Sequence, residues 1–124
     1  MKYGRLEAYL LSFPGAVKEY HADFGVDRFL VGGKMFAMWG EDKNGRPIIT
    51  LKLEPACGAD LRSRYQDDIV PGYYMNKLHW NSLHLKGKVA DDMVRFMADE
   101  SYRIIFSSLP KKRQAEISCA KKPE

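Results

Sequence analysis

Over the first thirteen residues, Leu6, Tyr9, Leu10 and Phe13 recur at i, i+3, i+4 and i+7, the spacing of one buried helical stripe. Pro14-Gly15 stops that helix. Val17 to Ala22 reads as a strand with poor alternation, and Phe24-Gly25 with Asp27 suits a turn. Arg28 to Val31 and Lys34 to Trp39 read as two short strands around Gly32-Gly33. That pair supplies the positive φ angles of a tight hairpin, or else marks a bulge in one long strand. Asn44-Gly45 is the strongest hairpin signal in the chain. The next strand alternates well, with Ile49, Leu51 and Leu53 on one face and Thr50 and Lys52 on the other. Pro55 suits the first turn of a helix running to about Gln66, with Leu61 and Tyr65 on its inner face.

Residues 67–76 read as a loop turning at Pro71-Gly72. A strand follows from His79 to Leu85, in which Trp80, Ser82 and His84 oppose Asn81, Leu83 and Leu85. Trp80 is expected to be largely buried on the helix-covered face. Asp91-Asp92 open a helix where carboxylates suit the dipole, with Met93, Phe96 and Met97 as its stripe. Ser101 looks like the cap of a last helix carrying Tyr102, Ile105, Phe106 and Leu109. The order is helix, three or four strands, helix, one or two strands, two helices. Hairpin-linked strands make an antiparallel sheet, and helices set apart from them must cover one of its faces. The fold class is therefore an α+β two-layer sandwich.

The length, 124 residues, fits one domain with its own core. The expected division is a single domain over residues 1–113 and a basic, flexible tail over 114–124. With 45% hydrophobic and 29% charged residues, the chain is ordinary globular material. No apolar run reaches the roughly 18 residues of a membrane helix, and the N-terminus does not read as a signal peptide. A cytoplasmic monomer without membrane contact is expected, and Cys57 and Cys119 read as reduced thiols.

Net charge changes the picture through its location. Residues 1–102 hold 14 basic and 14 acidic side chains, so the excess of +4 falls entirely on residues 103–124. Nucleic-acid binders concentrate positive charge on one face.

Enzyme chemistry is not legible. His21, His79 and His84 are scattered, the two cysteines match no ligand spacing, and Asp67-Asp68 reads as a solvated acidic pair. No Ser-His-Asp or Cys-His arrangement is present, and Gly32-Gly33 lies between strands rather than before a helix. The expectation is a protein that is not an enzyme, with no catalytic residues, cofactor or metal.

Four segments carry a resemblance: VGGKMFAMW (Val31 to Trp39), ITLKLEP (Ile49 to Pro55), PGYYMNKLHWNSL (Pro71 to Leu83) and DESYRIIFSSLPKKR (Asp99 to Arg113). In order and spacing they resemble the MmcQ/YjbR family, and PGY-x-MNK-x-HW is the specific part. The resemblance implies a helix-covered antiparallel sheet akin to the frataxin-like and secretion-chaperone-like folds. It also implies DNA binding through a double-wing motif. The family often shows His where Tyr74 stands and Arg where Leu78 stands, so this signature loop lacks one titrating group and one cation.

The candidate DNA contacts follow from the residues. Lys43 and Arg46 sit on one hairpin tip, although Glu41 and Asp42 accompany them. Lys86 and Lys88 flank Gly87 on a second. Asn76 and Lys77 stand in the signature loop, and Lys111, Lys112 and Arg113 form the C-terminal run. The alternative is a protein-interaction module of secretion-chaperone-like fold with no nucleic-acid role. An exposed apolar patch would favour that partner, and a basic stripe across the tips would favour DNA.

Overall fold

The computed structural model describes residues 3–72 and 76–121. The elements run α1 (Tyr3–Leu11), β1 (Val17–His21), β2 (Val26–Val31), β3 (Lys34–Glu41), β4 (Pro47–Lys52), α2 (Pro55–Arg64), β5 (Ile69–Pro71), β6 (Trp80–His84), α3 (Asp91–Ser107) and α4 (Lys111–Lys121). The six strands form one antiparallel sheet in the order β1-β2-β3-β4-β6-β5. The first four make a meander of consecutive hairpins. Gly32 and Gly33 close the β2–β3 turn with φ of 58° and 83°, the left-handed region that glycine enters at no steric cost. The bulge is present as well, as a register shift between Phe29 and Leu30.

The register sorts the side chains. Phe29, Ala37, Leu51 and Asn81 form one row across β2, β3, β4 and β6, and Trp39, Ile49, Leu83 and Ile69 form another on the same face. All but Trp39 are buried, because this face carries the helices. Leu6 and Leu10 of α1, Leu61 of α2 and Val94, Met97 and Ile105 of α3 close the core over it. Each such side chain contributes about 1.5–3 kcal/mol by leaving water. Phe13, Tyr102 and Phe106 stack along one side with Phe36 at right angles to Phe13 and Tyr102, and the Tyr102 hydroxyl donates to Pro14 O at 2.7 Å.

Several elements depart from the sequence reading. The stretch 67–76 is not all loop, since Ile69–Pro71 pairs with β6 as the sheet's short edge. Ser101 caps nothing: α3 runs unbroken through it. Its hydroxyl donates to Phe36 O at 2.5 Å and accepts from Lys52 N at 2.8 Å. Phe96, expected in the inner stripe of α3, is 43% exposed, and Val94 takes the inner position. Helix α4 spans residues 111–121 and so takes in residues 114–121 of the stretch expected as a tail. Ile117 is buried, and its side chain fills the space above Gly15 and beside Val31.

Trp80 is only part-buried and lies on the face opposite Asn81 and Leu83. It shares that face, the one away from the helices, with Lys52, whose ammonium stands 5.9 Å from the ring centroid, and with the buried Thr50–Ser82 hydroxyl pair. The expected burial of Trp80 against the helices is overturned. The strand places Asn81 there, where Arg62 and Gly58 of α2 meet its amide.

Candidate nucleic-acid interface

Antiparallel pairing of β4 with β6 places Ile48 opposite His84, and Leu85 N donates to Pro47 O at 3.0 Å. The β3–β4 tip, residues 42–46, therefore stands beside the β6–α3 turn, residues 85–90. The two expected wings are neighbours at one end of the sheet. Together they bring Lys43, Arg46, Lys86 and Lys88 to that end, all exposed. A cleft of about 180 Å³ separates them, lined by Arg46, Pro47, Asp68, His84, Lys86 and Gly87.

Asp42 builds the first tip. Its Oδ1 accepts from Asn44 N and Arg46 N, both at 2.9 Å, and its Oδ2 accepts from Arg46 Nε at 2.9 Å. Burial by itself favours the neutral acid, but these donors and the Arg46 charge outweigh it. The carboxyl is held below the usual aspartate range. Arg46 is thus a tethered cation, paired with Asp42. Lys43 on the same tip is exposed.

The second tip is organised by Asp68 from the α2–β5 turn. Asp68 Oδ2 accepts from Lys88 N at 2.9 Å, and Asp68 O accepts from His84 N at 2.8 Å. The carboxylate lies so close over Gly87 that a methyl there would collide with it. A side chain at that position would have to displace the Asp68 carboxylate. On the cleft floor His84 is buried, and its Nδ1 has no hydrogen-bond partner. Asp42 Oδ2 lies 3.8 Å from it. Sequence reasoning set this histidine aside because no ligand lay near it along the chain.

The remaining candidates lie elsewhere. Leu53 N donates to His79 O at 2.8 Å, which puts the signature loop at the far end of β4 from the tips. Asn76 Oδ1 accepts from Leu78 N, and Asn76 O accepts from His79 N and Trp80 N, so Asn76 serves the turn. Lys77 beside it is exposed. Tyr73, Tyr74 and Met75 lie outside the described residues. Leu109 packs against Gly32, so Lys111, Lys112 and Arg113 start α4 at the Gly32-Gly33 end of β3. Seven strand steps, about 23 Å, separate the ends of β3. The nine candidates therefore divide into four cations at one end and the loop and helix residues at the other.

Among the described residues no three His, Cys, Asp or Glu side chains gather as a metal site, and no helix is long and apolar enough to cross a membrane.

A six-stranded antiparallel sheet with helices on one face and two adjoining polar tips defines the class, an α+β sandwich domain. The chain belongs to the YjbR family, whose pattern it matches over residues 11–104. The Escherichia coli K12 protein YjbR is 31% identical over 114 residues, covering 92% of this chain and 95% of that protein. YbdF of Escherichia coli O157:H7 is 32% identical over 91 residues, 73% of each chain. Among solved structures, Deinococcus radiodurans DR2400 superposes with a TM-score of 0.84 at 24% identity, over 93% of this chain and 86% of that one. A Pseudomonas syringae protein superposes with a TM-score of 0.75 at 19% identity, over 85% and 99%. Both likenesses speak to the fold.

Proposed function

We propose that this protein binds nucleic-acid backbone phosphates, weakly and without reading bases, through the paired tips at one end of its sheet. The observation that carries the reading is the β4–β6 register, which sets Lys43, Arg46, Lys86 and Lys88 side by side on two adjacent projections. Lys and Arg on such tips suit phosphates. No helix presents a row of Arg, Asn and Gln for base edges, so sequence preference is low. Asp42 and Asp68 stand within the same tips and limit the attraction, giving affinity of roughly micromolar or weaker at physiological salt.

The test is a salt titration of fluorescence anisotropy on duplex and single-stranded oligonucleotides. Three to four phosphate contacts give a slope of log affinity on log salt of about −3. Changing Lys43, Lys86 and Lys88 together to Gln removes most of that slope and most of the binding. Changing Lys111, Lys112 and Arg113 to Gln, at the opposite end, leaves both nearly as they were. Folded protein that binds neither oligonucleotide at low salt refutes the reading. So does binding that survives the tip substitutions and is lost with those on α4.

A further inference from the structure

We infer that a notch at the outer corner of the sheet takes a cationic side chain, Lys or Arg, from a basic segment of a partner protein. Register places Tyr20 opposite Asp27 and Asp27 opposite Trp39, so the three form a row across β1, β2 and β3 on one face. Glu41, two residues beyond Trp39, shares that face. The row lies at the margin of the helical layer. An open cavity of about 320 Å³ there is lined by Gly25, Asp27, Trp39, Gly40 and Glu41.

Chemistry identifies the occupant. Trp39 Nε1 donates to Asp27 Oδ2 at 2.8 Å, which orients both the ring and the carboxylate. The Trp39 ring packs edge-on against Phe29 and is fixed from behind. Tyr20 and Phe24, which flank the Gly25 turn, leave 65% and 66% of their surfaces in water. Aromatic faces beside carboxylates attract a desolvated cation through ring quadrupole and ion pairing together. Lys18 is shared between Glu7 at 3.1 Å and Asp27 at 3.9 Å, and Glu41 adds a second, exposed carboxylate to the lining. A phosphate would be repelled here, so this site stands apart from the proposed phosphate contacts on the tips.

The experiment uses the full chain carrying W80F, which leaves Trp39 as the sole tryptophan. It is titrated with capped decapeptides, one rich in Lys and Arg, one of Ser and Gly, and one rich in Glu, while tryptophan emission is followed. The expected result is a saturable change with the basic peptide alone. The double variant Y20A/E41Q, shown folded by an unchanged urea transition, weakens it by about tenfold. K43Q/K86Q/K88Q leaves it unchanged. The inference is overturned by no response to the basic peptide, by an equal response to the Ser-Gly peptide, or by equal affinity in the Y20A/E41Q variant. It is also overturned if sedimentation shows a dimer that Y20A/E41Q dissolves, because a second copy then fills the notch.

Discussion

At the scale of single residues, polar groups inside the core locate its most sensitive points. Ser101 joins α3 to two strands at once, bonding Phe36 O on β3 and Lys52 N on β4. Ser101→Ala leaves a buried acceptor and donor unpaired and is expected to cost about 1–3 kcal/mol in urea denaturation. Trp80, only part-buried on the face away from the helices, matters less than a core tryptophan. Its replacement by Ala is expected to cost about 1–2 kcal/mol, below the roughly 3–5 of a fully buried ring. Asp42 ties stability to acid. Its folded-state pKa is depressed, so the stabilisation it gives is present above the unfolded value of about 3.9 and is lost as pH falls through the folded value. The gap in stability between wild type and Asp42→Asn should be widest near neutrality and close in acid, as read from denaturation curves at several pH values.

At the scale of elements, two contacts fasten the helical layer. The Tyr9 hydroxyl of α1 donates to Asp99 of α3. Burial, that bond and the Asp99 charge push Tyr9 up to about 12. The neutral phenol is the stabilising form, so its contribution is complete below about pH 10 and lost as pH rises through about 12. Tyr9→Phe should remove a tyrosine titration near pH 12 from an ultraviolet pH scan. Helix α4 is held by Ile117, and Ile117→Ala should cost about 2 kcal/mol. Truncation at residue 110 therefore removes packing along with charge, and substitutions separate the two effects better.

Legibility followed local chemistry. Gly32-Gly33, Asn44-Gly45, Pro55 and the alternation of Ile49, Leu51 and Leu53 each announced their element, because turn angles and strand period are local properties. Ser101 misled because a serine before an apolar run looks like a cap when its true partners lie 49 and 65 residues away. The charged run after Pro110 concealed a helix anchored by one apolar residue. In the site, the two tips were legible as hairpins. Their adjacency was not, since it depends on a pairing between strands 32 residues apart.

At the scale of the whole molecule, charge is distributed by topology rather than gathered into a stripe. The basic start of α4 stands at one end of the sheet, and the four tip cations stand at the other with Asp42 and Asp68 among them. The protein is thus two-ended, with an acid-aromatic notch beside its cationic tips. Hydrogen bonding is also unevenly protected. β4 sits between β3 and β6, and Ile48, Ile49, Thr50 and Leu51 are all buried, whereas β1 exposes nearly every residue and β5 has three. In deuterated buffer the amides of Ile49 to Leu51 should retain their protons longest and report global unfolding, while those of β1 should exchange by local fraying at the sheet's margin. A ligand seated against Tyr20 and Trp39 would slow that marginal exchange while leaving the central strand's intrinsic opening order unchanged.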